Sequence, residues 1–189
     1  MLTLPLLRKM LNRAGTELKA NSKYLCELDS VAGDGDHGIT IGRMADVMKE
    51  KTEDTTIDTM RVLLDELGDA FMGINGGSAG PLWGTVFTGM AEGIDDQAEL
   101  TDLELRKMFT QAKEDFMDIS KAKPGDKTMV DALYPAIDAI IETQGNLKEI
   151  MTAAAAAADA GAEQTSTMVA RFGRAKNMGE RSIGTKDPG

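Results

Sequence analysis

The sequence predicts an all-α fold: a single-domain barrel or bundle of about eight antiparallel helices over residues 1–189. Aromatic residues make up only 4% of the chain, whereas 13 methionines join many alanines and leucines, and this composition favours helices over strands. Apolar residues recur at helical spacing, and no convincing alternating strand pattern occurs. Glycine- and aspartate-rich stretches separate the helical segments, and a length of 189 residues suits one domain.

The helical segments are recognised by the spacing of their apolar residues. The predicted buried faces are Leu4, Leu7, Met10 and Leu11; Met60, Leu63, Leu64, Leu67 and Phe71; Leu105, Met108, Phe109, Ala112 and Phe116; and Met129, Ala132, Leu133, Ala136, Ile137 and Ile140. Thr101 and Glu104 have the spacing of a capping box, which predicts the start of the third helix. The alanine run from Ala153 to Ala158 predicts a further helix that allows close packing.

The connections between these segments are rich in glycine and aspartate. Residues 32–38, 73–81, 123–128 and 173–189 are predicted loops on this composition. Alternate loops of an antiparallel bundle lie at the same end. We therefore expect a functional site that is assembled from several loops at one end.

Charge and cysteine content exclude several classes of function. The net charge of −10 argues against a nucleic-acid partner, which would need a basic face. Cys26 is the only cysteine, so neither an intramolecular disulfide nor a cysteine-based zinc site is available. No apolar stretch approaches the length of a membrane span, and the short N-terminal apolar run lacks a preceding basic region. We expect a cytoplasmic protein with no membrane partner.

The segment that begins at Asp29 is the most informative part of the chain. Asp29, Asp34 and Asp36 lie within eight residues and are interleaved with glycines, which allow the backbone to turn so that the side chains converge. Ionised carboxylates crowded in this way generally need a cation, and hard oxygen ligands suit Mg²⁺ or Ca²⁺. A solvated Asp-Gly turn is the alternative for this motif alone, while the ligand spacing of an EF-hand is absent.

His37 is the only histidine of the chain, and it follows Asp36 directly. It is either a residue at a helix start that bonds a neighbouring carboxylate, or a contact to phosphate or substrate at the mouth of a site. A helix that begins near His37 would direct its free N–H groups at the loop, which favours a bound anion.

The second glycine-rich loop, residues 76–84, combines flexible backbone with a predicted helix start at Pro81. Such a stretch can form a nest of N–H groups that binds a phosphate, although a plain turn is the alternative. The chain contains no Walker motif, and no Rossmann fingerprint follows a predicted strand.

Two further loops carry charged residues. Asp126 is a predicted helix N-cap with Lys127 in the first turn, and a well-capped helix is a sufficient explanation of that motif alone. Residues 173–189 carry Arg174 and Arg181, whose guanidinium groups suit bidentate phosphate recognition. A disordered tail is the alternative for this last segment.

Taken together, these stretches resemble the DhaL family, the ADP-binding L subunits of dihydroxyacetone kinase. The matching stretches are Gly-Asp-Gly-Asp-His-Gly at 33–38 with the upstream Asp29, Gly-Gly-Ser-Ala-Gly-Pro-Leu-Trp-Gly at 76–84, Pro-Gly-Asp-Lys-Thr-Met at 124–129, Gly-Arg-Ala at 173–175, Gly-Glu-Arg-Ser-Ile-Gly at 179–184 and Asp-Pro-Gly at 187–189. They occur in the family's order and spacing over nearly the whole chain. Each motif is weak alone, and the ordered set is highly specific.

The resemblance implies a barrel of antiparallel helices with a nucleotide, ADP or ATP, in loops at one end. Asp29, Asp34 and Asp36 would coordinate two Mg²⁺ ions that hold the phosphates, and no catalytic side chain is assigned. The residues that the resemblance implies at the nucleotide are His37, Gly38, Ile39, Thr40, Ser78, Ala79, Ser120, Met129, Arg174, Asp187, Pro188 and Gly189.

The function that the resemblance implies is that of a kinase subunit of glycerol metabolism, active only with its partners. It would pass a phosphoryl group to a ketose held by a ketose-binding K subunit. A chain that starts at Met1 without a K domain favours the branch supplied by a phosphotransferase-system donor subunit, and a homodimer stays open. The alternatives are a nucleotide-sensing adaptor without catalysis, an ATP-dependent kinase subunit for a related triose or tetrose, and a Ca²⁺-binding helical protein.

The chain departs from the family pattern at three places. It reads Ser78-Ala79 where the family often has Ala-Ser, so a hydroxyl contact to phosphate is expected to shift. Thr185 stands where the family usually has histidine. The sequence stops at Gly189, where family members usually continue into a last helix, and this predicts a shorter or differently closed barrel.

Overall fold

A computed structural model describes residues 1–189, and its secondary structure is almost entirely helical. The eight α-helices are α1 Leu4–Ala20, α2 Ser22–Asp29, α3 His37–Glu53, α4 Met60–Met72, α5 Ala79–Glu92, α6 Asp102–Ile119, α7 Val130–Glu142 and α8 Leu147–Gln164. They are followed by 3₁₀ structure at Thr165–Thr167 and at Arg174–Ser182, the second stretch being kinked at Gly179. Two short strands, β1 Leu2–Thr3 and β2 Glu99–Leu100, pair antiparallel. The predicted all-α class is confirmed.

The chain divides into two compact units, each described separately below. The first comprises Met1–Ser22 and Ile39–Ser120, and the second comprises Lys23–Gly38 and Lys121–Gly189. The assignment of residues 1–189 to a single domain stays a prediction. None of the helices combines the length and the apolar character that a membrane crossing would require.

Neighbouring helices of the first unit pack antiparallel and very closely, and glycines make this possible. Gly80, at the start of α5, lies against the carbonyl of Phe71 near the end of α4, whereas Gly68 of α4 lies against Thr88 further along α5. A Cβ atom at Gly68 would be 2.8 Å from the backbone nitrogen of Thr88, so only glycine fits at this crossing. The α5 and α6 helices pack in the same way around Gly89.

The core of the first unit follows the predicted helical faces only in part. Of the predicted α1 face, Leu7 is buried but Leu4, Met10 and Leu11 are half-buried, and Phe109 of the α6 face is half-buried as well. All five residues of the α4 face are buried, namely Met60, Leu63, Leu64, Leu67 and Phe71. Phe71 meets Phe87 of α5 edge to face, with ring centroids 5.1 Å apart, which is a favourable aromatic geometry. The predicted capping box at the start of α6 is present, since Thr101 and Glu104 each accept the backbone N–H of the other.

The second unit is built on the antiparallel pair α7 and α8. Gly161, near the end of α8, packs against the backbone of Asp131 near the start of α7. The predicted α7 face is only partly correct, because Met129, Ile137 and Ile140 are buried but Ala132, Leu133 and Ala136 are half-buried. The buried side of α7 consists of Val130, Asp131, Tyr134, Ile137 and Ile140, so the sequence analysis missed Val130, Asp131 and Tyr134.

Candidate functional site

The three aspartates of the Asp-rich loop converge in the second unit. Asp29 is the last residue of α2, and Asp34 and Asp36 lie in the loop that leads to α3. Each offers a carboxylate oxygen, and these oxygens all lie within 4.8 Å of one another. Asp29 is half-buried and the other two are exposed, so the cluster faces solvent. The arrangement presents hard anionic oxygens to a common point, as a divalent cation requires.

Local hydrogen bonds explain why the loop turns this way. Oδ2 of Asp29 accepts the backbone N–H groups of Gly35, Asp36 and His37 at 2.9, 3.1 and 3.3 Å. Gly35 has a φ of +76°, a conformation that glycine adopts without steric cost. A Cβ atom at Gly33 would overlap the Asp29 carboxylate, so this position also demands glycine. The glycines therefore have the role that the sequence predicts for them.

Arg174 brings a positive charge to this cluster. It begins the 3₁₀ helix Arg174–Ser182, and its guanidinium group forms an ion pair with the Asp34 carboxylate. This contact, chiefly as a hydrogen bond, lowers the pKa of Asp34 below its usual value. Of the two arginines predicted in this segment, Arg174 is the one that reaches the acidic loop. The C-terminal segment is thus packed onto the second unit and does not form a detached tail.

His37 is the first residue of α3, as predicted, and its backbone N–H donates to Asp29. Burial lowers the pKa of its imidazole, while the carboxylates of Asp29 and Asp36 and an interaction with the backbone of Pro188 act in the opposite direction. His37 therefore connects the Asp-rich loop to the last residues of the chain.

The C-terminal triplet completes the group of predicted residues in the second unit. The N–H of Asp187 donates to Oγ1 of Thr165, and the N–H of Gly189 donates to Oδ2 of Asp187, both at 2.9 Å. Burial raises the pKa of Asp187 to about 6, against the opposing effects of the Gly189 N–H and Lys127. A Cβ atom on Gly189 would lie 3.3 Å from the Cβ of Met129, so Met129 belongs to the same neighbourhood.

The remaining predicted residues belong to the first unit, apart from Gly38, which ends the first segment of the second unit. Thr40 is buried on α3, and the glycine loop passes so close to it that a Cβ atom on Gly76 would overlap its Oγ1. The side chain of Ser78, the N-cap of α5, makes no capping hydrogen bond. Ile39 is exposed and Ser120 caps the end of α6.

Two helices, α5 and α7, begin at residues other than those that the sequence predicts. α5 begins at Ala79, two residues before Pro81. The expectation that Asp126 caps α7 is wrong, because α7 begins at Val130 with Met129 as its N-cap. Asp126 instead accepts the N–H of Lys123 at 2.8 Å and forms an ion pair with Arg171.

Sequence reasoning missed two buried polar residues, one in the loop before α7 and one in the first turn of α7. Lys127 and Asp131 are each only 4% exposed, and both bind backbone groups. Their signal is faint: a lysine between a Gly-Asp pair and a helix, and an acid in the first turn of that helix. Either residue would be expected in solvent from composition alone.

Comparison with known proteins identifies the family. Residues 31–189 match the DAK2 domain. The chain is 35% identical over 182 residues to the PEP-dependent dihydroxyacetone kinase, ADP-binding subunit DhaL, of Escherichia coli, covering 95% of this chain and 87% of that one. It is 36% identical over 186 residues to the L-erythrulose kinase of Pectobacterium atrosepticum, covering 95% of this chain and 31% of that protein.

Solved structures agree with the sequence relatives. The native dihydroxyacetone kinase of C. freundii superposes with a TM-score of 0.77 at 26% identity, over 97% of this chain and 32% of that one. The C. freundii kinase in complex with AMP-PNP and Mg²⁺ superposes with a TM-score of 0.69 at 27% identity, over 94% of this chain and 31% of that one. This chain thus spans most of a separate DhaL subunit and about a third of the longer kinases. The chain belongs to the DAK2 domain family, as its resemblance to DhaL subunits predicts.

Proposed function

We propose that this chain is the nucleotide-binding subunit of a dihydroxyacetone-type kinase, which holds ADP or ATP with Mg²⁺ and passes a phosphoryl group to a ketose. The convergence of the Asp29, Asp34 and Asp36 oxygens within 4.8 Å carries the proposal. It is supported by the similarity to an ADP-binding DhaL subunit and to a kinase crystallised with AMP-PNP and Mg²⁺.

The donor set fits magnesium well. Mg²⁺ prefers a small number of carboxylate oxygens and fills the rest of its coordination with water and phosphate oxygens. Asp29, Asp34 and Asp36 would hold two such ions, and the ions would supply charge stabilisation to the phosphoryl group during transfer. Asp29 is already fixed by its three backbone hydrogen bonds, so part of the ligand set is pre-organised.

The protein's own groups orient the phosphates. Arg174 stands at Asp34 and offers a planar donor fork that suits phosphate oxygens. The α3 helix begins at His37, and its N-terminus adds a partial positive charge at the loop. Phosphoryl transfer depends on positioning and charge stabilisation more than on a covalent protein intermediate, so no nucleophilic side chain is assigned.

The assignment of further residues to the nucleotide rests on the resemblance to DhaL subunits. We assign to the nucleotide the residues His37, Gly38, Ile39, Thr40, Ser78, Ala79, Ser120, Met129, Arg174, Asp187, Pro188 and Gly189. The start of α5 supports this for Ser78 and Ala79, because the Ser78 hydroxyl is not used for helix capping and the first N–H groups of a helix suit an anion.

Replacing Gly76 by alanine is expected to weaken nucleotide binding by about tenfold or more, as for loss of a supporting contact around a metal or phosphate site. A methyl group there would overlap Thr40, which is buried and cannot easily retreat. The glycine loop would have to move away from α3. Isothermal titration calorimetry with ADP and Mg²⁺ measures the effect.

Gly73→Ala is the matched control for this loop. Its added Cβ would lie 3.4 Å from the carbonyl oxygen of Ala70 and 3.9 Å from that of Asp69, both ordinary contacts, and its φ of −78° suits alanine. We expect wild-type affinity for this control. Equal affinities of the Gly76 and Gly73 variants would remove the glycine loop from the proposed site.

The proposal includes partners and organisation. A ketose-binding K subunit would present the acceptor, a phosphotransferase-system subunit would supply the phosphoryl group, and the chain would act as one domain. Similarity to a PEP-dependent DhaL subunit supports the phosphotransferase-system donor. A homodimer is compatible with this scheme and is not required by it.

A reconstituted assay tests the proposed activity. The purified chain is combined with a K subunit, dihydroxyacetone, Mg²⁺ and either ATP or a phosphorylated donor subunit, and ketose phosphate is quantified. We expect product only when the chain and the K subunit are both present. Tight ADP binding without any transfer from either donor would favour a nucleotide-sensing adaptor. Transfer from ATP alone would favour the ATP-dependent branch.

A further inference from the structure

The loop between α6 and α7 places a lysine in an unusual position. Lys127 is 4% exposed and has a φ of 60°, and it is the only residue other than glycine with a positive φ. Left-handed backbone is unfavourable for a side chain of this kind, so the surrounding contacts must impose it.

Asp131 is the residue that imposes this backbone. Its carboxylate, buried in the first turn of α7, accepts the N–H of Gly125 at 2.5 Å and the N–H of Thr128 at 2.8 Å. These two donors flank Lys127 on either side. The loop is therefore wound around the Asp131 carboxylate, and Lys127 is directed inward.

The Lys127 ammonium group uses all three of its donors on backbone carbonyls. Nζ donates to Thr165 at 2.8 Å, to Ser182 at 2.7 Å and also to Thr185. The acceptors lie 38, 55 and 58 residues further along the chain. One side chain thus connects the loop before α7 to the end of α8 and to the C-terminal segment.

The segment held in this way carries groups that reach the acidic cluster. Arg174 begins and Ser182 ends a 3₁₀ stretch that is kinked at Gly179, and Arg174 pairs with Asp34. The backbone of Pro188, a few residues beyond Thr185, interacts with the His37 imidazole. The placement of both groups depends on where the segment is fixed. Two of the three carbonyls that bind Lys127, those of Ser182 and Thr185, lie between Arg174 and Pro188 in the chain.

We infer that Lys127 is a positioning residue of the nucleotide site: its three hydrogen bonds fix residues 173–189 so that Arg174 stands at the Asp34 carboxylate. Lys127 is buried and acts through Arg174, without contact to the nucleotide itself. This inference rests on the proposed function and adds to it a buried residue that positions Arg174.

The test replaces Lys127 by methionine, which keeps the apolar stem and removes the three donors. We expect affinity for ADP in Mg²⁺ buffer to fall about 10- to 100-fold, as for loss of a residue that orients metal-site ligands. Amide hydrogen exchange should accelerate in residues 173–189 while α4 keeps its protection. Unchanged ADP affinity in a folded K127M would overturn the inference. If K127M does not fold, Lys127→Gln replaces it in the same measurements, with the same outcomes.

Arg8→Met is the matched control, because Arg8 makes the same kind of triple contact in the first unit. Its guanidinium donates to the carbonyls of Thr52, Asp54 and Ile57 at 2.6, 2.7 and 2.6 Å. We expect this variant to lose thermal stability and to keep wild-type ADP affinity. A comparable fall in affinity would mean that any loss of stability weakens binding, and would overturn the specific role of Lys127.

A double-mutant cycle separates positioning from general destabilisation. If Lys127 acts through Arg174, then K127M in the R174A background should cost little further affinity, and the two effects should be far from additive. Additive losses would contradict the inference. Absence of Mg²⁺-dependent ADP binding in the wild-type chain would instead refute the proposed function on which the inference rests.

Discussion

Asp36→Asn and Asp34→Asn are each expected to abolish magnesium-dependent ADP binding, with a loss of at least about 100-fold, or about 2.8 kcal/mol. Asparagine keeps the size of the side chain and removes the negative charge that a divalent cation requires. Both residues are exposed in a loop, so the helical circular dichroism should not change. Calorimetric titration of ADP with Mg²⁺, and again with EDTA, measures the effect.

Asp46→Asn is the control for these variants. Asp46 forms a surface ion pair with Lys19, much as Asp34 does with Arg174, and its side chain is 58% exposed against 47% for Asp34. We expect wild-type ADP affinity for this control, since surface ion pairs contribute little. Retained affinity in either D34N or D36N would refute the metal bridge between this loop and the nucleotide.

Gly161→Ala is expected to destabilise the second unit by about 3 kcal/mol or more, at the upper end of the range for overpacking. A methyl group there would overlap the carbonyl oxygen of Asp131 and lie 3.1 Å from the Cα of Ala132. Both are backbone atoms of α7, which cannot rotate away. Thermal unfolding followed by circular dichroism should show a midpoint lowered by about 6–12 °C.

Gly42→Ala makes the same change inside α3, where there is room. The nearest atom to its added Cβ would be the flexible Ser22 hydroxyl at 3.3 Å. Because alanine favours helices more than glycine by up to about 1 kcal/mol, this control should be neutral or stabilising. A Gly161 variant as stable as the Gly42 variant would show that α7 and α8 do not pack as described.

The parts of the site that could be predicted are those built from local sequence. Asp29 ends α2 and Asp36 lies in the short loop that follows, and the glycines between them are sufficient for the turn, so their convergence follows from nearby residues. The buried face of α4 is equally local, because helical periodicity places Met60 and Phe71 on one side.

The parts that could not be predicted depend on distant residues. Leu2 pairs with Leu100, and two-residue strands are too short to show an alternating pattern. The acceptors of Lys127 belong to another helix end and to the C-terminal segment, which no spacing rule connects to it. Asp126 is a residue type that often caps helices, but α7 begins only at Val130, later than the loop sequence indicates. The turn before α7 is instead organised by Asp131, which accepts the N–H of Thr128.

Native mass spectrometry of the purified chain with ADP, in Mg²⁺ and then in EDTA, tests the central claim most directly. The account predicts a complex of one chain with ADP and two Mg²⁺ ions, lost in EDTA and absent in D36N. ADP bound equally in EDTA, or Mg²⁺ bound to the Asp29, Asp34 and Asp36 cluster without any nucleotide affinity, would contradict it.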